Sequence, residues 1–352
     1  MLNKNEAAVL VSPGNIEIQP LPVPSIGEED VLLEMQRVTL CDGDLANFND
    51  PTFGGQYQVS YPIQLGHECS AKVIQAGKKV NHLHPGDLVV LEAGIPCGRC
   101  KNCLSGKYNL CENILFLSAA PYAKGALCRY MAYPAKFTYK LPTFLDPSHG
   151  ALIEPLCVAL HAVKRAKTPL KTVLVMGADC LGLMTIACCK MMGATEIIVC
   201  DRYENKLQKA IDMGATVVIN AAKLPLENAV KNLTRGHGAD VVFHTIDSRN
   251  ALSTSVHLVA KSGQIVITSN IYAKVEFDFS LLKSKEADII TAYRYRDVFP
   301  EAIQAVTSQR IKLSDMITYH FPFEKTQQAF LCARNEMPDV LRICIDFDEV
   351  VT

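Results

Sequence analysis

Thr172-Val-Leu-Val-Met-Gly-Ala-Asp-Cys-Leu-Gly182 runs five residues of strand character into a turn bounded by two glycines. A short apolar run followed by such a turn predicts a buried strand, then a loop, then a helix over residues 181–192. Asp201 follows Gly177 by twenty-four residues and ends a second expected strand, Glu196-Ile-Ile-Val-Cys200. In that context the glycine turn presents a helix N-terminus to a pyrophosphate, and the carboxylate holds the ribose hydroxyls of a dinucleotide. The carboxylate also repels a 2′-phosphate and so favours NAD over NADP, although Arg202 beside it weakens the inference. Lys206 is within reach of the adenosine edge. Asp179 departs from the pattern, which has glycine there so that the backbone approaches the pyrophosphate closely. One charge repulsion at ~4 Å in an effective dielectric of ~20 costs on the order of 4 kcal/mol. Rotation into solvent or pairing with a cation would remove most of that.

Strand and helix alternate onward from this stretch. A helix is expected over residues 205–213, and strands over 215–219, 239–243 and 264–268. Alternation of this kind means a doubly wound parallel sheet of α/β class with helices on both faces. Before it, the chain reads as short strands and many turns: Val31-Leu-Leu-Glu-Met35 and Asp87-Leu-Val-Val-Leu91 are strand-like, and His84-Pro-Gly-Asp87 is a turn. A helix is expected over 151–166, with Pro155 in its first turn or kinking it. The character becomes mixed again near 293. Residues 1–153 and 293–352 are therefore read as one β-rich domain, and 154–292 as the dinucleotide-binding domain.

Four cysteines lie close together: Cys97, Cys100, Cys103 and Cys111. At that spacing one loop, spanning about residues 94–114, wraps four thiolates around a tetrahedral zinc. A closed four-thiolate site is structural, so the chemistry lies elsewhere. The 352 residues are 49% hydrophobic and carry a net charge of -1, with no basic block, which supports a full core and disfavours nucleic acid as a partner. The N-terminus does not read as a signal peptide. The most apolar segment, 172–189, is broken by Gly177, Asp179 and Gly182, which argues against a membrane span. Fourteen cysteines without a secretory signal are expected to be reduced thiols and metal ligands in the cytoplasm.

Cys41, His67 and Glu68 offer a second donor set, of thiolate, imidazole and carboxylate, that leaves a position open on zinc. Glu154 adds an acid at the start of an otherwise largely apolar helix. Singly, each has an ordinary reading: a core thiol, a turn histidine, a solvated charge, and an acid complementing the helix dipole. The spacings alone leave both readings open.

The chain as a whole, from about residue 7 to 345, resembles the zinc-dependent medium-chain dehydrogenases, and within them the sorbitol (polyol) dehydrogenase branch. The likeness is carried by Gly66-His-Glu68, Ala151-Leu-Ile-Glu-Pro-Leu156, Tyr293-Arg-Tyr295, Gly125-Ala-Leu-Cys-Arg129 and Tyr139-Lys-Leu-Pro142. The resemblance implies a GroES-like catalytic domain beside a Rossmann domain. It implies that Cys41, His67 and Glu68 ligate a catalytic zinc, with Glu154 as a further acid reaching the metal directly or through water, and Asp44 orienting a ligand. Asn47 takes a substrate-contact position, Phe116 would line the pocket, and Arg294 and Tyr295 would contact polyol hydroxyls. Leu181, Asp201 and Lys206 would hold the adenosine half of the cofactor. Thr268, Ser269 and Asn270, with Ala292, Tyr293 and Arg294, would flank the nicotinamide half. The implied reaction is hydride transfer from a secondary alcohol of a polyol to NAD, giving a ketose, in a homotetramer or homodimer.

Five positions depart from the branch: Gly43 where it has serine or threonine, Asn47 where it has tyrosine, Ala120 where it has threonine, Ser269 where it has glycine, and Asp179. They motivate two competing readings. One is a catalytically weak paralogue that keeps the fold for binding or structure. The other is a related dehydrogenase for a sugar acid or a sugar phosphate.

Overall fold

The computed structural model describes residues 4–50, 52, 59–119, 122, 124–271, 274–334 and 340–348; Ala120 lies outside them. The chain divides into two units. One holds residues 1–154, 299–307 and 313–352, and the other holds 155–298 and 308–312.

The second unit is built on a six-stranded parallel sheet. Its order is Val217–Asn220, Glu196–Asp201, Thr172–Met176, Ala239–His244, Val259–Ile267, Asp288–Thr291. The first strand in sequence lies third, and the order reverses beside it, which creates the crevice where such sheets bind ligands. Val173, Leu174 and Val175 are fully buried, as expected of a strand covered on both faces. The helix after the glycine turn, Cys180–Met191, is apolar nearly all round and accordingly buried along most of its length.

In the first unit a seven-stranded sheet runs Thr138–Lys140, Leu88–Leu91, Glu68–Ala76, Asp30–Thr39, Ile343–Asp346, Tyr319–Pro322, with Tyr130–Pro134 also paired to Asp30–Thr39. A three-stranded sheet joins Asn15–Leu21, Asn5–Ser12 and Ile63–Gln64. Leu33, Met35, Val38, Val73, Val89 and Leu91 form the apolar interior, with the rings of Phe48 and Phe330 5.1 Å apart within it. Tyr133 is fully buried and its hydroxyl donates to the Glu92 carbonyl at 2.7 Å, so the core holds no stranded phenol. Antiparallel pairing of Asp30–Thr39 with Glu68–Ala76 sets Thr39 opposite Glu68. That register brings Cys41, two residues past one strand, to His67, one residue before the other.

The boundaries differ in places from the reading of the sequence, and Glu154 belongs to the first unit rather than the second. Residues 293–298 stay with the parallel-sheet unit, and the chain returns to the first unit at Phe299 rather than at 293. The Phe299 ring stacks on Tyr139 at 4.9 Å, and that buried aromatic contact marks the crossing. Residues 308–312 then rejoin the parallel-sheet unit, where the Arg310 guanidinium donates to the Met191 carbonyl at 3.2 Å. The helix expected over 151–166 is two pieces, Pro147–Ala151 and Ile153–Arg165, with Pro155 inside the first turn of the second, where a missing N–H is harmless. Among the described residues no helix is long and apolar enough to cross a membrane, and all fourteen cysteines are free thiols.

Gly125 fixes the path of the loop that carries His67. A Cβ at Gly125 would stand 2.1 Å from the Leu65 carbonyl oxygen, and the neighbouring N–H groups of Ala126 and Leu127 donate to Gly66 and Leu65 at 2.8 and 3.1 Å. Gly125→Ala is expected to cost about 1–3 kcal/mol through overpacking against backbone. It should also displace the 65–67 segment, lowering metal content by one equivalent in a urea-titration and metal-assay comparison. Unchanged stability would refute this role for Gly125.

Candidate metal centre and cofactor loop

Cys41 lies two residues past the strand Asp30–Thr39 and caps the helix Asp42–Asn49. The Asp44 backbone N–H donates to the Cys41 sulfur at 3.4 Å, and the Cys41 N–H donates to the Asp44 carboxylate at 3.3 Å. The helix N-terminus thus faces the sulfur and favours its thiolate. The Cys41 sulfur and His67 Nε2 are 3.3 Å apart, and one donor atom each from Cys41, His67 and Glu68 lies within 4.8 Å of the others.

The remaining polar atoms of the trio are held from outside it. His67 Nδ1 sits 2.7 Å from the Ser118 hydroxyl and 3.7 Å from the Asp44 carboxylate. With Nε2 turned to the metal position, Nδ1 carries the proton and donates to Ser118. Asp44, fully buried, also accepts from the Gly66 N–H at 3.0 Å. Burial acts to raise its pKa, but His67 and the N–H groups of Gly66 and Cys41 outweigh it and hold the carboxyl below its usual range. Glu68 Oε2 accepts from the Thr39 hydroxyl at 2.5 Å, and Oε1 from the Arg342 guanidinium at 2.9 Å. A carboxylate has about four lone-pair sites, so both bonds leave room for a metal. The ring of Phe116 meets His67 edge-on at 5.4 Å.

The electrostatics test whether a cation belongs here. Burial pushes the Cys41 thiol up to about 12, with Asp44 adding to the effect. Burial also keeps Glu68 above its usual range, and Arg342, His67 and Thr39 only partly offset it. Two anionic donors starved of positive charge beside an imidazole fit a divalent metal. Glu154 is buried, at 3% exposure, but does not join the close donor group. The structure brings three of the four residues together. Ser118, Thr39 and Arg342 were missed. They donate to or accept from ligands across 51, 29 and 274 residues, so no local motif announces them.

Asn47 is buried, at 4% exposure. Its amide donates to the Ser118 carbonyl at 3.4 Å, and its Oδ1 has no partner among the described residues. Gly43 sits beside the sulfur: a Cβ there would lie 3.3 Å from Cys41 Sγ.

The sulfurs of Cys97, Cys100, Cys103 and Cys111 likewise lie within 4.8 Å of one another, on a lobe whose base is closed by the paired strands Gly94–Ile95 and Leu115–Phe116. The N–H groups of Cys103 and Glu112 lower the Cys100 thiol to about 6, and those of Arg99 and Cys100 lower Cys97. Backbone donors aimed at thiolates suit a four-sulfur metal site.

In the parallel-sheet unit, Gly177 has φ +109°, and a Cβ at Gly182 would meet the Gly177 carbonyl oxygen at 2.0 Å. Only glycine fits either position. Asp179 is the N-cap of Cys180–Met191 but makes no side-chain cap, so the first N–H groups of the helix stay available to a phosphate. Its backbone is extended at φ −74°, which any residue adopts. The Asp179 carboxylate is paired with the Lys206 ammonium, one of the two ways open to it for relieving the repulsion. Lys206 also lies over the Tyr203 ring at 5.3 Å. Asp201 accepts from the N–H groups of Ala178, Arg202 and Tyr203 at 2.8, 2.6 and 3.1 Å, which ties the second strand to the glycine turn. Leu181 is half-buried in the first turn of the helix.

Ser269 too has a partner. His244 is fully buried, and burial lowers its pKa to about 4, so it is neutral near pH 7. Its Nε2 faces the Ser248 carbonyl at 3.2 Å and must donate, so Nδ1 accepts from the Ser269 hydroxyl at 2.8 Å. Thr268 donates to the His244 carbonyl from both its N–H and its hydroxyl, and Asn270 is exposed. Ala292 to Tyr295 also belong to this unit: Tyr293 is exposed beneath the Arg294 guanidinium at 4.9 Å, Ala292 is half-buried, and Tyr295 is buried at 3% exposure.

Comparison with known proteins identifies a family for each part of the chain. The family described as alcohol dehydrogenase GroES-like domain matches residues 27–143, and that described as zinc-binding dehydrogenase matches 180–308. An uncharacterised zinc-type alcohol dehydrogenase-like protein of Escherichia coli is 38% identical over 340 residues, covering 96% of this chain and 98% of that protein. A sorbitol dehydrogenase of Bacillus subtilis is 32% identical over 342 residues, covering 97% and 96%. The crystal structure of an Escherichia coli oxidoreductase/dehydrogenase of unknown specificity, involved in membrane biogenesis, matches with a TM-score of 0.94 at 35% identity, covering 99% of this chain and 100% of that one.

Two predictions test the site. Ser118→Ala frees His67 Nδ1 and is expected to weaken metal binding at the trio about 10–100-fold, read by competition with a chelator. An unchanged affinity would mean that Asp44 alone orients the ring. Asp179→Asn is expected to tighten NADH several-fold by calorimetry, and Lys206→Met to weaken it by exposing the carboxylate to the phosphates. The half-exposed pair limits both effects. Equal affinity in all three proteins would remove Asp179 from the cofactor site.

Proposed function

The chain belongs to the zinc-dependent medium-chain dehydrogenases, in their sorbitol branch, and from that premise we propose that it oxidises a polyol at a secondary carbinol, with NAD as acceptor, to give a ketose. It is an oxidoreductase whose cofactors are zinc and a nicotinamide dinucleotide. The observation that carries the proposal is the open trio Cys41, His67 and Glu68, three mixed donors that leave one position for a substrate oxygen.

Zinc bound there supplies a Lewis acid that lowers the pKa of a carbinol oxygen, and the nicotinamide ring supplies the hydride acceptor. The protein's own residues do the rest. The backbone N–H of Asp44, at the N-terminus of Asp42–Asn49, donates to the Cys41 sulfur and would support its thiolate once a metal is bound. Ser118 fixes the tautomer of His67, and Arg342 with Thr39 fixes the orientation of Glu68. Phe116, edge-on to His67, shields that side of the trio from water. We assign the exit of the alcohol proton to Glu154, a buried acid outside the donor trio. The acceptor is NAD rather than NADP because Asp201 repels a 2′-phosphate.

The experiment is a panel of polyols, sugar acids and sugar phosphates offered to the zinc-loaded protein with NAD and with NADP. Reduction of NAD by a polyol is expected. Cys41→Ser should abolish turnover by that polyol while leaving NADH binding intact, because the nucleotide loop lies in the other unit. Reduction only with a sugar acid or phosphate would move the substrate class. No reduction with any member would favour a weak paralogue, the reading that buried Asn47 supports.

A further inference from the structure

A third group of metal-ligating side chains shares no residue with the trio or the four-cysteine lobe: His320, Cys344 and Asp346. His320 lies on the strand Tyr319–Pro322, and the other two lie on Ile343–Asp346. These strands are parallel, with His320 opposite Cys344 and Pro322 opposite Asp346. Cys344 and Asp346 are two residues apart on one strand, so they share a face, and cross-strand pairing adds His320 to it.

The spacing is that of ligands around a small cation. His320 Nδ1 is 3.0 and 3.1 Å from the two Asp346 oxygens, and the Cys344 sulfur is 3.4 Å from Oδ1. Around a tetrahedral zinc with bonds of about 2.0–2.3 Å, neighbouring donors stand about 3.3–3.8 Å apart, so the Cys344–Asp346 contact fits as it stands and the His320–Asp346 contact opens by a few tenths of an ångström. The Cys41 to His67 distance is 3.3 Å, and that from Cys100 to Cys103 is 3.4 Å. We propose that His320, Cys344 and Asp346 form a third metal site that takes zinc or a similar borderline divalent cation, with solvent completing the shell.

The ordinary reading is a surface ion pair of His320 with Asp346. Cys344 argues against stopping there, because its thiol is fully buried and donates towards the same carboxylate. Arg37 is the cation that a metal must tolerate: its Nε is 3.1 Å from Asp346 Oδ1. Its other nitrogens are engaged by Asp348 at 2.5 Å and by the Gln36 carbonyl at 2.7 Å, which draws its charge outwards. Glu68 in the trio carries an arginine on one oxygen in the same way. The two groups thus repeat one donor chemistry, a buried cysteine, a histidine and an arginine-buttressed carboxylate. They differ in exposure: the His320 side chain is 48% exposed, against 14% for His67. A metal here would exchange with solvent more readily than in the lobe, and would tie the sheet's outer strand, Tyr319–Pro322, to its neighbour. Binding displaces the Cys344 proton, so affinity falls in acid.

The test uses the full chain saturated with zinc and freed of excess by gel filtration. Wild type is expected to hold one zinc equivalent more than His320→Ala, a variant at a half-exposed position that should fold normally. Cadmium-113 exchanged into both proteins then reports the donors. The resonance lost in His320→Ala should have the shift of a single-sulfur site. Equal metal content in the two proteins overturns the proposal. So does loss of an equivalent whose cadmium resonance shows no sulfur, since Cys344 would then not be a ligand.

Discussion

The pairing of Thr39 with Glu68 is the constraint on which the catalytic half rests. Cys41 and His67 each lie just beyond the paired residues, on loops that would otherwise wander. A slip of one residue would turn every side chain of the strand to the opposite face and part the thiolate from the imidazole. The register is held on both sides of Asp30–Thr39, by Glu68–Ala76 and by Ile343–Asp346, and it buries a continuous apolar row that includes Leu33, Met35 and Val38. The same alignment makes Thr39 the hydroxyl that holds Glu68 and brings Arg342 onto the other carboxylate oxygen. An unpaired carboxylate at that depth would cost several kcal/mol. Arg342 offsets part of it, and a metal held by the trio would supply the rest.

Three of the five departures from the family pattern have hydrogen-bond or ion-pair partners. Asp179 is neutralised by Lys206. Ser269 supplies the proton that a buried, neutral His244 accepts. Asn47 holds the backbone of Ser118, whose hydroxyl orients His67. In each case a side chain that departs from the family pattern satisfies a group that would otherwise be unpaired, which is how buried polar positions persist.

What was legible in the sequence was local. The glycine turn, the following helix and Asp201 lie within thirty residues and obey a single geometric rule, so the parallel sheet followed from them. The four-cysteine lobe was legible for the same reason. What was not legible depends on contacts between distant residues. Ser118, Thr39 and Arg342 are ordinary residue types whose role exists only once the register is formed. The return of the chain at Phe299 rather than 293 turned on one aromatic stack with Tyr139. Glu154 lies in a separate motif, one residue into the helix Ile153–Arg165, and stands outside the close donor group.

The central claim is that the register gathers Cys41, His67 and Glu68 around one open metal position that receives an alcohol. Its most direct test is the absorption of the cobalt-exchanged protein, taken as the difference between wild type and Cys41→Ser. The account predicts a thiolate-to-cobalt band with the visible bands of a tetrahedral centre, and a shift of those visible bands when a substrate alcohol is added. Identical spectra for the two proteins, or bands indifferent to every alcohol, would contradict it.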